Sequence, residues 1–196
     1  MWAYNEGGYD STWGDLDLDG DQDLYVATGD AWPERVFENG ASNNGNHWVY
    51  VRLRGLRSNT TAIGAQLYAT IDAGTPQERT LRRDANTNAG AFNQSDTPVH
   101  FGLGSATQID RLRIVWPDGT EQVFENVAGD QYLAVTFPGD CDADGDVAAD
   151  DADDFLACMA GPDGGLGGGC GCNDFDGDGD VTVRDLAGLQ AAYTGD

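Results

Sequence analysis

Between Gly14 and Val26 the chain reads GDLDLDGDQDLYV, with aspartates at 15, 17, 19, 21 and 23 and a glycine at 20. Two later stretches share that spacing, DCDADGDVAADD over 140–151 and DFDGDGDVTVRD over 174–185. Carboxylates at alternate positions of one loop repel each other unless a cation sits among them. A glycine at the sixth position lets the backbone bend around the ion. The chemistry is binding of a hard cation by oxygen, at about three sites. Loop length and oxygen number suit calcium better than magnesium. Binding removes the repulsion, so cation affinity becomes folding free energy.

In the two C-terminal loops, Asp140, Asp142 and Asp144, and again Asp174, Asp176 and Asp178, fill positions 1, 3 and 5. Gly145 and Gly179 take position 6, and Asp151 and Asp185 close the loops at position 12. Position 7, Asp146 or Asp180, offers its backbone carbonyl, while Ala148 or Thr182 at position 9 leaves that site to water. Aspartate in place of the usual glutamate at position 12 shortens the closing arm. Val147 and Val181 at position 8 predict a short bridge between the loops. The first loop ends differently. Asp15, Asp17, Asp19 and Gly20 keep the spacing and Asp21 offers its carbonyl, but the closing acid is Asp23 at position 9. Val26 stands at position 12, and the strand-like LYVA follows where the other loops run into short amphipathic helices.

Between these acidic ends, residues 34–138 read as all-β. HWVYVRLRG (47–55) alternates Val49, Val51 and Leu53 against Trp48, Tyr50, Arg52 and Arg54. AQLYATIDAG (65–74) repeats the alternation with Leu67, Ala69 and Ile71. RLRIVWPDGTEQVFENV (111–127) predicts a hairpin turning at Pro117-Asp118-Gly119, and QYLAVTF (131–137) a last strand. Short strands with turns between them suggest a small sandwich or barrel. Pro138-Gly139 marks a sharp change, after which Gly, Asp and Ala dominate. The tail repeats at an offset of 34, so that Phe155, Met159 and Gly161 correspond to Leu189, Tyr193 and Gly195. Its linker, GPDGGLGGGCGCN, is too glycine-rich for regular structure. The fold class expected is mainly β with a small α-helical C-terminal unit, divided into 1–40, 41–138 and 139–196.

The net charge of −24 is unevenly spread. Residues 1–30 carry 8 acids and no base, and residues 139–196 carry 15 acids against Arg184 alone. Phosphate binding needs clustered bases, so nucleic acid is not expected as a partner. No apolar run reaches the ~20 residues of a membrane span. The opening has no signal-peptide pattern, and the abrupt start inside a motif suggests the C-terminal piece of a longer protein. All four cysteines, Cys141, Cys158, Cys170 and Cys172, lie in the acidic tail. They suggest two disulfides in an oxidising compartment, with the pairing open except that Cys170–Cys172 is sterically disfavoured. A zinc site is a weaker alternative, with no CxxC pair and no nearby histidine, and free buried thiols in a cytosolic protein are the other. His47 and His100 lack a partner motif and read as structural. Trp48, Trp116, Arg52 and Arg54 suggest a sugar-stacking face, set against the commoner reading of core or hairpin packing. Asn59 and Asn93 head glycosylation sequons.

Three resemblances follow from these motifs. Residues 139–196 resemble a dockerin, with two EF-hand-type calcium loops each leading into a helix. This implies an anchoring tail or a cohesin-like partner. Positions 10 and 11, where that family often has Ser or Thr, are Ala149, Asp150, Val183 and Arg184, which weighs against ordinary cohesin docking. The repeat style resembles the tails of planctomycete surface proteins. The D-x-D-x-D-G-x-x-D-L loop and its strand resemble the last FG-GAP/VCBS repeat of a propeller. NGNHWVYVRLRG (44–55), SNTTAIGAQL (58–67), VHFGLG (99–104) and IVWPDG (114–119) resemble the ASPIC/UnbV domain, which commonly follows such repeats. Thr60 stands where that family often has Arg. Together they imply a non-catalytic, extracellular or cell-surface adhesion or anchoring module that presents a protein- or carbohydrate-binding surface. The alternative is the anchoring end of a larger secreted polysaccharide-degrading enzyme. The upstream reading frame would separate the two.

Overall fold

The computed structural model describes residues 8–28, 33–40, 45–56, 59–87, 94–159 and 169–194. The described chain is mainly β, with open sheets. An antiparallel ribbon of β1 (Gly8–Gly14), β2 (Asp23–Thr28) and β3 (Arg35–Phe37) carries the first acidic loop between its first two strands. Two further sheets follow. One has the order β10-β4-β7, from Gln131–Thr136, His47–Arg54 and Val99–Gly104. The other has the order β6-β5-β8-β9, from Arg79–Asp84, Gln66–Ile71, Gln108–Val115 and Glu121–Ala128.

The alternation that predicted these strands is also what fills the core. Val49 and Val51 from one sheet, and Leu67, Ala69, Ile71, Leu112 and Ile114 from the other, are fully buried in one apolar cluster. Each Val, Leu or Ile side chain among them gains about 1.5–3 kcal/mol on full burial. The Pro117-Asp118-Gly119 turn closes as expected. Gly119 donates its N–H to the Trp116 carbonyl at 2.9 Å, and the Asp118 carboxylate accepts the Thr120 N–H. Trp116 itself is buried, with its indole N–H on Gln122 and its ring edge-on to Phe137 at 5.2 Å.

One pairing departs from simple hairpin topology. β10 runs parallel to β4, with Gln131 opposite Val49 and Thr136 opposite Arg54, while β7 pairs antiparallel on the other side. The two ends of the 47–136 segment are thereby laced into one sheet.

The apolar cluster does not stop at Pro138. Val147, Phe155, Val181 and Leu189 of the tail belong to it together with Phe137. Helices α1 (Ala149–Cys158) and α2 (Leu186–Ala192) follow the two C-terminal loops as the repeat predicted. Their equivalence is close: Met159 donates its N–H to the Phe155 carbonyl and Tyr193 to the Leu189 carbonyl. Gly161 and Gly195 lie outside the described residues, as do residues 161–168 of the linker. Its end forms a 3-10 turn, Cys170–Asn173, where no regular structure was expected. Disulfides Cys141–Cys172 and Cys158–Cys170 tie that turn to the first tail loop and to the end of α1. Phe175 packs against the backbone of Gly188, where a β-carbon would lie 2.4 Å from its ring.

The expected bridge between Val147 and Val181 does not form. Thr194 takes the backbone of Val147 instead, accepting its N–H through Oγ1 and donating its own N–H to the Val147 carbonyl. Among the described residues no helix is long and apolar enough to cross a membrane.

Candidate metal centres

The three acidic loops adopt one backbone scheme although they lead into different elements. The position-6 glycines all have left-handed φ, +96° at Gly20, +100° at Gly145 and +91° at Gly179. Position 4 is left-handed as well, at Leu18, Ala143 and Gly177. Each position-5 N–H is donated to the position-3 carboxylate: Asp19 to Asp17, Asp144 to Asp142, Asp178 to Asp176. Each position-7 N–H goes to the position-5 carboxylate: Asp21 to Asp19, Asp146 to Asp144, Asp180 to Asp178. Turns of this kind are the local preference of aspartate, and in series they curl the loop around a point.

The closing acids fill the same role in all three loops. Asp151 accepts the position-2 N–H of Cys141 at 2.8 Å and the Ala148 N–H at 2.9 Å. Asp185 accepts the position-2 N–H of Phe175 and the Thr182 N–H, both at 2.8 Å. Asp23, though it arrives three residues sooner, accepts the position-2 N–H of Leu16 at 2.9 Å. Its second bond is with the Asn39 N–H at 2.8 Å. Asn39 follows β3, so the third strand of the ribbon supplies what the loop's extra residues supply elsewhere. No sequence signal pointed to Asn39.

These bends gather carboxylate oxygens at Asp15, Asp17 and Asp19; at Asp140, Asp142 and Asp151; and at Asp174, Asp176 and Asp185. Within each group the oxygens lie within 4.8 Å of one another. Neighbouring oxygens around one calcium ion, each 2.3–2.6 Å from it and roughly at right angles, lie about 3.3–3.7 Å apart, inside that spread. Asp23 stands outside the first group, its two oxygens held by backbone N–H donors. Asp144 and Asp178 stand outside the other two. Asp178 lies 3.7 Å from the Arg184 guanidinium. Asp21, Asp146 and Asp180 take part through their backbone N–H groups, each donated to the position-5 carboxylate.

Asp140 is buried among the charges of its own loop. It is 1 % exposed, and its Oδ1 has no hydrogen-bond partner among the described residues. Burial, and then the charges of Asp151, Asp142 and Asp144, push its carboxyl above the usual range. Burial likewise raises Asp174, aided by Asp185 and Asp178, and raises Asp176. A buried carboxylate without a partner is costly unless it is protonated or paired with a cation.

The first loop sits on the face of β4 and β10. Gly20 lies against the Trp48 indole so closely that a β-carbon there would be 1.8 Å from Cε2. Tyr132 donates its hydroxyl to Asp15, and Tyr50 donates to the Asp21 carbonyl at 3.5 Å. The two phenol rings stack 5.0 Å apart, and the Trp48 ring meets both edge-on. Burial and the Asp15 charge hold both phenols above the ordinary tyrosine range. Tyr50, on the strand face opposite Val49 and Val51, is covered by the loop.

The suggested sugar face is not assembled. Trp116 is in the core and Trp48 lies beneath Gly20, leaving Arg52 and Arg54 exposed. His47 forms a surface pair with Asp130 at 2.7 Å, in keeping with a structural part. His100 is lowered in pKa by burial. The Asn59 amide is engaged on both sides by the backbone of Ile63, which closes a turn, and Asn93 lies outside the described residues. No curated protein matches the chain. One family model does: residues 55–140, the stretch from the end of β4 to the first aspartate of the tail, are similar to the ASPIC and UnbV family.

Proposed function

We propose that the chain is a calcium-stabilised, non-catalytic adhesion or anchoring module of the cell exterior. In this reading about three calcium ions hold it together and it presents a binding surface to a protein or carbohydrate partner. The observation that carries the reading is the common scheme of the three loops, with Asp140 buried and its Oδ1 unpartnered at the centre of one of them. Calcium would be held by Asp15, Asp17 and Asp19; by Asp140, Asp142 and Asp151; and by Asp174, Asp176 and Asp185, with position-7 carbonyls completing each set. The ion would neutralise carboxylates that otherwise repel, so loaded and folded states favour each other. The outside location is supported by the two disulfides, which persist in oxidising compartments. The ribbon β1–β3 with its loop is read as the remnant of an FG-GAP/VCBS repeat, and the tail as a dockerin-like anchor.

The test is thermal unfolding and titration calorimetry of the full chain with calcium, magnesium and chelator. A calcium concentration a hundredfold above Kd stabilises by about 2.7 kcal/mol for each site. Asp15→Asn, Asp140→Asn and Asp174→Asn should each remove one binding event from the titration. A melting temperature that does not change in chelator would sink the proposal.

A further inference from the structure

Beside the first loop lies an open cavity of about 420 Å3, lined in part by Trp13, Arg83, Asp84, Asn86, Asp96 and His100. Its size is that of a small-molecule site, ~300–1,000 Å3. We infer that this cavity binds a neutral saccharide. The inference deepens the proposed function, since it names the ligand of the binding surface and relies on the first loop to hold one wall.

Trp13 is the anchor. It closes β1 opposite Leu24, yet its side chain is 49 % exposed. An indole left half in water beside a polar cleft offers a flat apolar face to a ligand that is apolar on one side and polar at its edge. A pyranose ring has that character, with C–H bonds on its face and hydroxyls around its rim. Each hydroxyl both donates and accepts. The rim of the cavity offers both kinds of partner. Arg83 donates Nε to the His100 carbonyl and Nη1 to the Arg82 carbonyl, which fixes the guanidinium plane, and Nη2 has no partner among the described residues. Both Arg82 bonds to Asp84 fall on Oδ1, and the Thr97 N–H falls on Asp96 Oδ1. The second oxygen of each carboxylate has no partner among the described residues.

Charge narrows the class. Asp84 and Asp96 outnumber Arg83 at the rim, and the first loop adds its aspartates beside them. The chain as a whole carries −24. Uronic-acid and sulfated glycans are repelled at such a surface, whereas neutral sugars are indifferent to it. Gly14 and Gln22, at the two ends of the acidic loop, also line the cavity. The wall is therefore set by the same loop that would hold calcium.

The experiment is calorimetry on the calcium-loaded full chain with cellobiose, maltose, lactose and mannobiose, and with a uronic-acid disaccharide for contrast. At least one neutral disaccharide should bind with Kd near or below about 1 mM. Trp13→Ala should weaken that binding about tenfold or more, and Trp13→Phe should restore part of it. Asp96→Ala, at the rim, should weaken it with folding intact, and carries the test if Trp13→Ala does not fold. No saturable heat with any neutral disaccharide overturns the inference, as does affinity unchanged in both alanine variants or preference for the acidic sugar. Calcium is titrated first, so loss of the calcium reading shows as missing heat before any sugar is added.

Discussion

Gly20 and Gly179 occupy the same position in two loops of one backbone scheme, but their surroundings differ. Both have left-handed φ, +96° and +91°. A β-carbon at Gly179 would meet nothing within 4 Å, while at Gly20 it would lie 1.8 Å from Trp48 Cε2 and 1.9 Å from Nε1. Gly179→Ala therefore isolates the conformational cost, about 1–2 kcal/mol for a left-handed alanine. Gly20→Ala carries that cost and an overpacking cost of about 1–3 kcal/mol, because the indole packs edge-on against the stacked Tyr50 and Tyr132 and must move against them. Urea unfolding in saturating calcium, followed by circular dichroism, should show Gly20→Ala less stable than Gly179→Ala by about 1–3 kcal/mol. The calcium titration of Gly20→Ala should also lose affinity at one site of three. Equal losses in the two variants would refute the seating of the first loop on Trp48.

The closing acid of the second loop should be as sensitive. Asp151→Ala leaves the N–H groups of Cys141 and Ala148 without their acceptor, at about 1–3 kcal/mol each, and Asp151→Asn, which keeps one oxygen, should cost less. The comparison is read by chemical denaturation with chelator present, so that the metal does not enter. Reduction should loosen the tail specifically. Opening Cys141–Cys172, which spans a sequence separation of 31, costs about 3–4 kcal/mol on chain entropy. A reductant should lower the melting temperature, and amide exchange should rise in 140–194 while Val49–Leu53 stays protected.

How far the residues announced the fold depends on which faces they bury. β4, β5, β8 and β10 alternate because one face meets the core, and their bounds were readable to within about three residues, β4 and β10 to one. β6 is RTLRRD, with Leu81 its lone apolar side chain. As an edge strand covered on little but that residue, it carries no periodic signal. The parallel pairing of β10 with β4 was not readable, since strand order is decided by tertiary packing. The three acidic clusters were legible because such loops write their geometry locally, in aspartate spacing and a glycine. Asn39, Tyr50 and Tyr132 were not, because they reach the first loop from distant strands.

The parallel lacing of β10 onto β4 has a consequence for synthesis. A chain emerging from the ribosome presents β4 early, but its partner on one edge arrives only after every other strand of the domain has been made. Until then β4 exposes an open edge, and the Trp48 and Tyr50 face waits for Tyr132. The first loop precedes all of this, so its seat is built last. Contacts of such long sequence separation slow the search for the native state. The domain should therefore condense late, after Thr136 has cleared the exit tunnel, and a nascent chain stalled before that residue should be captured by chaperones rather than folded.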